Sequence, residues 1–468
     1  MRQYELNQKI DEFLEKRKDE IVSNIVRLVN IESVAVEAEG KYPYGEGPAR
    51  ALDEALSIGA SLGFEAKNYD YQCGSLRYGT GEEEIGFFSH VDVVPAGNNW
   101  TYSPFDAKVE NGYIIGRGSN DDKGPAMTAL YAMLCCKELG IPLKHSLRLV
   151  LGCNEENGMP DLPHYFKSEK APVFSIIADA EFPVCYAEKG MLTVTLKSSP
   201  LHGRITEMHG GMVYNMVADE AYAVLKDTTA DEAIKALSNT DLKAEAAANG
   251  VKISAFGKAT HAAWPEGSVN AIRKLAAGLA ESGLVDDQER DVLKKMASYL
   301  DDYYGEGLGI AFEDEVTGKL THVAGKVRRL EDGALTLNFN IRHPVCVTTD
   351  KVLELVKERA EKDGFTIEDT FILKPVYVDP ESDIVKKLTG IYNDVAGDNR
   401  KAFYEGGFTY ARVVPNAVAY GPHFPGRKLP FSDGRGKEHM PDECMSIQNI
   451  MDAIRIYVRA IIAIDEIY

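Results

Sequence analysis

Apolar residues at Ile10, Phe13, Leu14, Ile21, Ile25, Leu28 and Val29 recur at the spacing of one helix face, which predicts an amphipathic helix over residues 8–30. A second helix is predicted over 47–62. Three apolar runs of strand length follow, at 84–89, 146–152 and 172–178, with a helical pattern from Gly124 to Leu139 between the first two. Strands alternating with helices imply an α/β fold built on a mostly parallel sheet. From 186 to 384 the pattern changes. Residues 191–196, 251–256 and 334–341 alternate as half-exposed strands do, with helices between them, and predict an inserted α+β lid domain. Within the lid, residues 211–215 lead into a predicted helix ending near Leu225, and residues 267–270 into one ending near Leu279, a faint echo of a duplicated unit. Residues 385–468 supply a helix, a short strand at 417–420 and a long terminal helix from about Ser446. The expected organisation is therefore a catalytic domain made of 1–185 and 385–468, interrupted by a lid of 186–384.

Composition narrows the partners. The 468 residues hold 52 Lys+Arg against 72 Asp+Glu, a net charge of −20, with 26% charged and 44% hydrophobic residues. That is a globular chain long enough for two or three domains, each able to bury its own core. The excess of acid disfavours nucleic acid as a partner, because phosphate binding rests on Lys and Arg. Metal cations and small neutral or cationic substrates fit better. No run approaches the roughly 18 apolar residues of a membrane span. The N-terminal residues alternate in charge and lack the apolar stretch of a signal peptide, so a cytoplasmic location is expected and no membrane partner. The seven cysteines are odd in number and contain no C-x-x-C pair, which predicts reduced, mostly buried thiols. In that setting the Asn99-Trp100-Thr101 sequon is a chance match.

Each predicted strand runs into ionisable residues. The first ends in His90-Val-Asp92, the second in Asn154-Glu155-Glu156 and the third in Asp179-Ala-Glu181. In open α/β sheets ligands bind beyond the carboxyl ends of the strands, so these groups should converge on one rim. A hydrolytic centre with two divalent metals needs a bridging carboxylate, further ligands for each metal, and a separate carboxylate to take a proton from the attacking water. His90 offers an imidazole, and Asp92 could accept from its second ring nitrogen. Asp121, in the polar turn Gly116-Arg-Gly-Ser-Asn-Asp-Asp-Lys-Gly124, serves as a helix cap on the plain view and as the bridging carboxylate on the functional one. Glu155 and Glu156 suit a division between base and ligand, since adjacent side chains leaving a strand diverge. His439 lies in a loop before the last helix and, taken singly, is more often structural.

Together these motifs resemble the co-catalytic zinc peptidases of the aminoacylase and carboxypeptidase G superfamily, and within it the bacterial dipeptidase V branch of carnosinase-like Xaa-His dipeptidases. The resemblance runs nearly end to end. It rests on Ser89-His-Val-Asp-Val-Val-Pro-Ala-Gly97, Gly116 through Pro125, Asn154-Glu-Glu-Asn-Gly158, Asp179 through Pro183, Glu188-Lys-Gly190, His261 with Gly267 and Asn270, and His439 with Pro441-Asp-Glu443. It implies that Asp121 bridges two divalent ions, Zn²⁺ in the first place with Mn²⁺ or Co²⁺ as alternatives. Glu156 and His439 would serve one ion, His90 and Asp179 the other. Asp92 would orient His90, Glu155 would be the base, and His261 would stabilise the oxyanion. The bond after Asp121 is expected to be cis. Asn215, Arg342, Gly407 and Thr409 would hold a small peptide substrate, Arg342 gripping a terminal carboxylate. One departure stands out: Phe408 in Glu405-Gly-Gly-Phe-Thr-Tyr-Ala411 occupies a place usually held by glycine, which leaves the side-chain preference of the pocket open.

The expected activity is hydrolysis of unblocked dipeptides. Deacylation of an N-acyl or N-succinyl amino acid by the same centre is the alternative, and a catalytically silent metal-binding scaffold a more distant one. Retention of both Glu155 and His261 speaks against the scaffold, since neither is needed merely to hold metal. A monomer is expected, with a dimer as the alternative, because the long insertion can replace a partner's lid.

Overall fold

The computed structural model describes residues 3–431 and 434–468, with side chains from residue 4 onward. The chain divides into two compact units: residues 1–186, 378–403 and 408–468 form one, and 187–377 with 404–407 the other.

The first unit is built on a sheet whose centre is parallel. Glu84–His90 lies between Ser146–Gly152 and Phe174–Ile177, parallel to both, and Ala417–Tyr420 pairs parallel with Phe174–Ile177. Antiparallel neighbours flank this core: Glu65–Tyr69 and Cys73–Tyr78 on one side, Val184 and Cys185 on the other. The central strands are buried along nearly their whole length, which is why their sequences are mostly apolar rather than alternating. Gln3–Val29, Glu46–Ser61, Lys123–Glu138, Asp383–Ala396 and Ile447–Ile467 are the principal helices. Lys123–Glu138 is buried on all sides as far as Cys136, and Phe87 packs edge-on against Tyr457 of the last helix at 5.3 Å between ring centres. None of the seven cysteines is in a disulfide, and of them Cys346 alone is exposed. Among the described residues no helix is long and apolar enough to cross a membrane.

The second unit is an eight-stranded antiparallel sheet in the order Lys243–Ala247, Gly250–Phe256, Glu220–Leu225, Ile205–Gly210, Thr321–Arg329, Leu335–His343, Gly190–Ser198 and Phe365–Leu373. Helices Ala271–Ser282, Asp287–Tyr299 and Thr349–Lys362 contribute their apolar faces to its main core. One sequence expectation fails here. The residues before Leu225 form the strand Glu220–Leu225, not a helix, while 271–282 is helical as expected. Ala221, Ala223 and Leu225 are buried on alternate positions, the period of a strand, and the strand pairs on both sides. The echo between the two segments therefore does not reflect a duplicated unit.

Candidate metal centre

Register brings the ionisable strand ends together. His90 lies opposite Gly152 on one neighbour, and Phe88 lies opposite Ile177 on the other. Two residues further along, His90 and Asp179 are level, and Glu155 and Glu156 leave the rim beside them. His90 Nε2 is 3.7 Å from an Asp179 carboxylate oxygen and 3.1 Å from Oδ1 of Asp121. The other oxygen of Asp121, Oδ2, is 2.9 Å from His439 Nε2, which in turn is 3.2 Å from Glu156 Oε1. Asp121 thus presents one oxygen to each of two donor groups. The Asp121–Asp122 peptide bond is cis.

Asp92 sits behind these groups and is fully buried. Its main-chain carbonyl, rather than its carboxylate, is the nearest partner of His90 Nδ1, at 3.0 Å, with the carboxylate at 3.4 Å. The carboxylate oxygens accept instead from the main-chain N–H groups of Glu155 at 3.1 Å and Glu156 at 3.2 Å. Sequence reasoning assigns Asp92 only to the histidine; the turn it holds becomes visible in three dimensions. Asp161 completes that turn by accepting from Cys153 N and Asn154 N and from the Tyr410 hydroxyl at 2.6 Å. Nothing in its local sequence distinguishes Asp161 from an ordinary cap of the short helix Leu162–Tyr165.

Electrostatics separate the acids by role. The carboxyls of Asp92, Asp121, Asp122, Glu155, Glu156 and Asp179 outnumber the two imidazoles in a space that is mostly buried, with Glu156 and Asp179 partly exposed and the His439 side chain 52% exposed. Burial and the neighbouring acids push the Glu155 carboxyl well above its usual range, and burial with Asp121 raises Glu156. Burial opposes ionisation of Asp121 as well, but His439 and His90 outweigh it and hold this carboxyl well below the usual range. Burial also works against the charged form of His90, yet Asp92, Asp121 and Asp179 raise it far above 6.5. Asp121 and Glu156 likewise overcome burial to push His439 up to about 11. A site that binds protons this strongly is short of positive charge.

His90 Nε2, Glu155 Oε1 and Glu156 Oε1 are buried without a hydrogen bond, because the ion-pair contacts of His90 and Glu156 lack hydrogen-bond alignment. Lone pairs facing one another in this way fit divalent cations. Ligand atoms of His90, Asp121 and Glu156 lie within 4.8 Å of one another, as do those of His90, Asp122 and Asp179. Asp122 is a group that sequence reasoning passes over. Its Oδ2 accepts from His90 N at 3.1 Å and from the Ser89 hydroxyl, while Oδ1 is buried without a partner. The adjacency of two acids in the motif was its only sequence signal.

Residues 86–463 match Peptidase family M20/M25/M40. The chain belongs to that family. Among relatives of this M20 peptidase is the protein named "Putative dipeptidase YtjP" of Bacillus subtilis (strain 168), 33% identical over 461 residues that cover 95% of this chain and 97% of the relative. A protein of Staphylococcus epidermidis (strain ATCC 12228 / FDA PCI 1200) named "Putative dipeptidase" is 30% identical over 464 residues, 96% of this chain and 97% of that one. Among solved structures, human carnosine dipeptidase 1 has a TM-score of 0.60 at 14% identity, covering 98% of this chain and 99% of that one. The Saccharomyces cerevisiae di-peptidase Dug1p has a TM-score of 0.57 at 14% identity, covering 98% of each chain. At such identities the likeness to solved structures concerns the fold.

The remaining expected residues divide between the units. In the second, Ala262 N donates to the Asn215 carbonyl at 2.9 Å and Met216 bridges to His261, so Asn215 and His261 lie side by side. His261 Nδ1 accepts from Ala263 N at 3.4 Å, which assigns the proton of a neutral ring to Nε2, the tautomer able to donate. Arg342 is buried, with Nε donating to Asn340 Oδ1 at 3.2 Å and Nη1 donating to the Gly406 carbonyl, which places it beside Gly407. Thr409 lies in the first unit, buried, its hydroxyl accepting from Ala411 N at 3.1 Å at the start of the short helix Tyr410–Arg412.

Proposed function

We propose that this M20 peptidase is a dipeptidase that uses two divalent cations, Zn²⁺ first among them, to hydrolyse unblocked dipeptides of the Xaa-His, β-Ala-His or broader Xaa-Xaa type. The observation that carries the reading is Asp121, whose two oxygens face two separate donor groups while Glu155 beside them is buried and unpartnered. The names of the relatives, dipeptidases over nearly their full length, support the substrate class.

In this reading Asp121 and His90 with Asp179 would hold one cation, and Asp121 and His439 with Glu156 the other. Bound there, two divalent cations would supply polarisation of the scissile carbonyl and a lowered pKa, toward about 7, for the attacking water. Glu155 takes the proton from that water and returns it to the leaving amine. Its raised affinity for a proton suits the second half of that task as well as the first. Asp92 keeps Glu155 and Glu156 in place through their main-chain N–H groups and fixes the His90 ring through its own carbonyl. His261 donates from Nε2 to the developing oxyanion. Asn215, Arg342, Gly407 and Thr409 bind the peptide, Arg342 gripping its terminal carboxylate.

The test is hydrolysis of β-Ala-His, several Xaa-His and Leu-Xaa dipeptides, a tripeptide and an N-acetyl amino acid, after chelation and again after adding back Zn²⁺ or Mn²⁺. Metal-restored cleavage confined to dipeptides is expected. Cleavage of the N-acetyl amino acid alone, or of nothing under any metal, overturns the proposal.

A further inference from the structure

We propose that Glu443 is a positioning residue of the metal centre, a single buried carboxylate that fixes the main chain of Asp121 relative to the turn bearing His439. Glu443 is fully buried, and its Oε1 accepts three main-chain N–H groups of the Asp121 turn: Gly118 at 2.9 Å, Asn120 at 2.9 Å and Asp121 itself at 3.1 Å. Oε2 accepts from Arg117 Nη1 at 2.6 Å, and the Glu443 main-chain carbonyl accepts from Gly116 N at 2.8 Å and from the Ser119 hydroxyl at 3.2 Å. One residue therefore accepts a hydrogen bond from each of the six residues of the segment 116–121.

Glu443 is also tied to the other ligand. His439 and Glu443 share a turn closed by main-chain bonds from Gly436 N to the Pro441 carbonyl and from Cys444 N to the Gly436 carbonyl, both 3.0 Å. Asp442 anchors that turn independently, accepting from Thr101 N at 2.8 Å, Tyr102 N at 3.1 Å and Arg435 at 2.7 Å. Asp121 Oδ2 and His439 Nε2 are 2.9 Å apart and come from segments more than three hundred residues distant in sequence, with Glu443 spanning the gap behind them. Ligands that must share a cation tolerate little relative displacement, and groups behind them that hold their orientation typically govern affinity by about 10- to 100-fold.

The carboxylate is suited to this because it accepts on both oxygens. An amide in its place keeps one acceptor for the three N–H groups but turns an NH₂ toward the Arg117 guanidinium, donor against donor. The geometry separates two contributions, the acceptor oxygen facing Asp121 and the ion pair with Arg117.

The inference rests on the proposed metal centre, and its test distinguishes the two. Zn²⁺ and Mn²⁺ affinities are measured by calorimetry on chelated full-length protein, with the unfolding midpoint of the metal-free form in parallel. The proteins are wild type, Glu443→Gln, the double variant Arg117→Met/Glu443→Gln and the double variant Arg117→Met/Glu443→Met. The doubles both lack the ion pair, and the Met double also lacks the amide, with it the acceptor oxygen for the three N–H groups. Glu443→Gln is expected to bind at least tenfold more weakly than wild type, the Gln double to recover to within about threefold, and the Met double to remain at least tenfold weaker while folded. Equal loading by the two doubles overturns the role of Glu443, as does a Met double that fails to fold, since the oxygen would then be holding the fold rather than the ligand. A wild-type protein that loads no cation overturns the metal centre itself.

Discussion

Replacing Asp92 tests how the site is held together. Its carboxylate accepts two buried main-chain N–H groups, from Glu155 at 3.1 Å and Glu156 at 3.2 Å, and lies 3.4 Å from His90 Nδ1. In Asp92→Ala both N–H groups lose their acceptor inside a mostly buried site. At about 1–3 kcal/mol for each buried donor left unpaired, the metal-free first unit should lose about 2–6 kcal/mol. Asp92→Asn retains one acceptor oxygen for one N–H and presents an NH₂ to the other, so its cost should be about half as large, ~1–3 kcal/mol. The alanine variant releases Glu155 and Glu156 together and the asparagine variant one of them, so metal affinity should fall by about 10- to 100-fold along with turnover, further in alanine than in asparagine. Urea unfolding of the chelated wild type and both variants, followed by far-UV circular dichroism, gives the stability order, and calorimetric metal titration gives the affinities. An alanine variant that unfolds at the wild-type urea concentration and loads metal normally would show that Asp92 does not hold the turn.

Three further outcomes are expected. Glu155→Gln should lower kcat by at least about 10²- to 10⁴-fold, the usual span for a general base. Metal content and unfolding midpoint should stay at wild-type values, because Glu155 Oε1 makes no hydrogen bond to lose and the main-chain bond to Asp92 is untouched; steady-state kinetics with metal analysis checks this. His261→Ala should reduce kcat more than it raises KM, as for a donor that acts chiefly in the transition state, and an effect confined to KM refutes that assignment. Metal loading should be proton-linked. His90 and His439 are both held protonated well above 6.5 in the metal-free protein, so each must lose a proton to become a ligand. Apparent affinity should then rise by about tenfold per pH unit for each proton displaced between pH 6 and 8, and a flat profile in calorimetry at several pH values contradicts the pairing.

Much of this architecture is legible in the sequence because the central strands leave it little choice. Strands such as 84–90 and 146–152 carry mostly apolar residues since both faces are covered, and the chain beyond each of them brings ionisable residues to the rim. His90, Glu155, Glu156 and Asp179 are found by that logic alone. His439 is not: its segment meets Asp121 only through tertiary contacts, and the residue enters through the resemblance. Glu220–Leu225 misleads because Ala and Leu are good helix formers, and pairing with two neighbouring strands overrides that preference. Asp122 and Asp161 escape detection for a different reason. Each looks like a helix cap locally, and what sets it apart is a partner outside its own helix, the His90 main chain for Asp122 and the Cys153 main chain with the Tyr410 hydroxyl for Asp161, to which the sequence gives no pointer.

The same functional group recurs around this centre, and surroundings alone sort it into different tasks. Asp92 has its oxygens occupied by main-chain donors, so it has little left to offer a cation and acts as a brace. Asp121 lies between two imidazoles and is held ionised, each of its oxygens directed to a different side, which is what a bridge requires. Glu155 is equally buried but has only acids and His90 for company, so its affinity for a proton is raised, and its outer oxygen has no partner. A carboxylate that stays charged can hold a cation against water; one that readily takes a proton can carry it from one reactant to another. Exchanging the tasks of Asp121 and Glu155 would require moving the imidazoles, not the carboxylates. Under the proposed roles, the positions of His90 and His439, one at the end of a central strand and the other on the turn that also carries Glu443, would decide which acid bridges and which moves the proton.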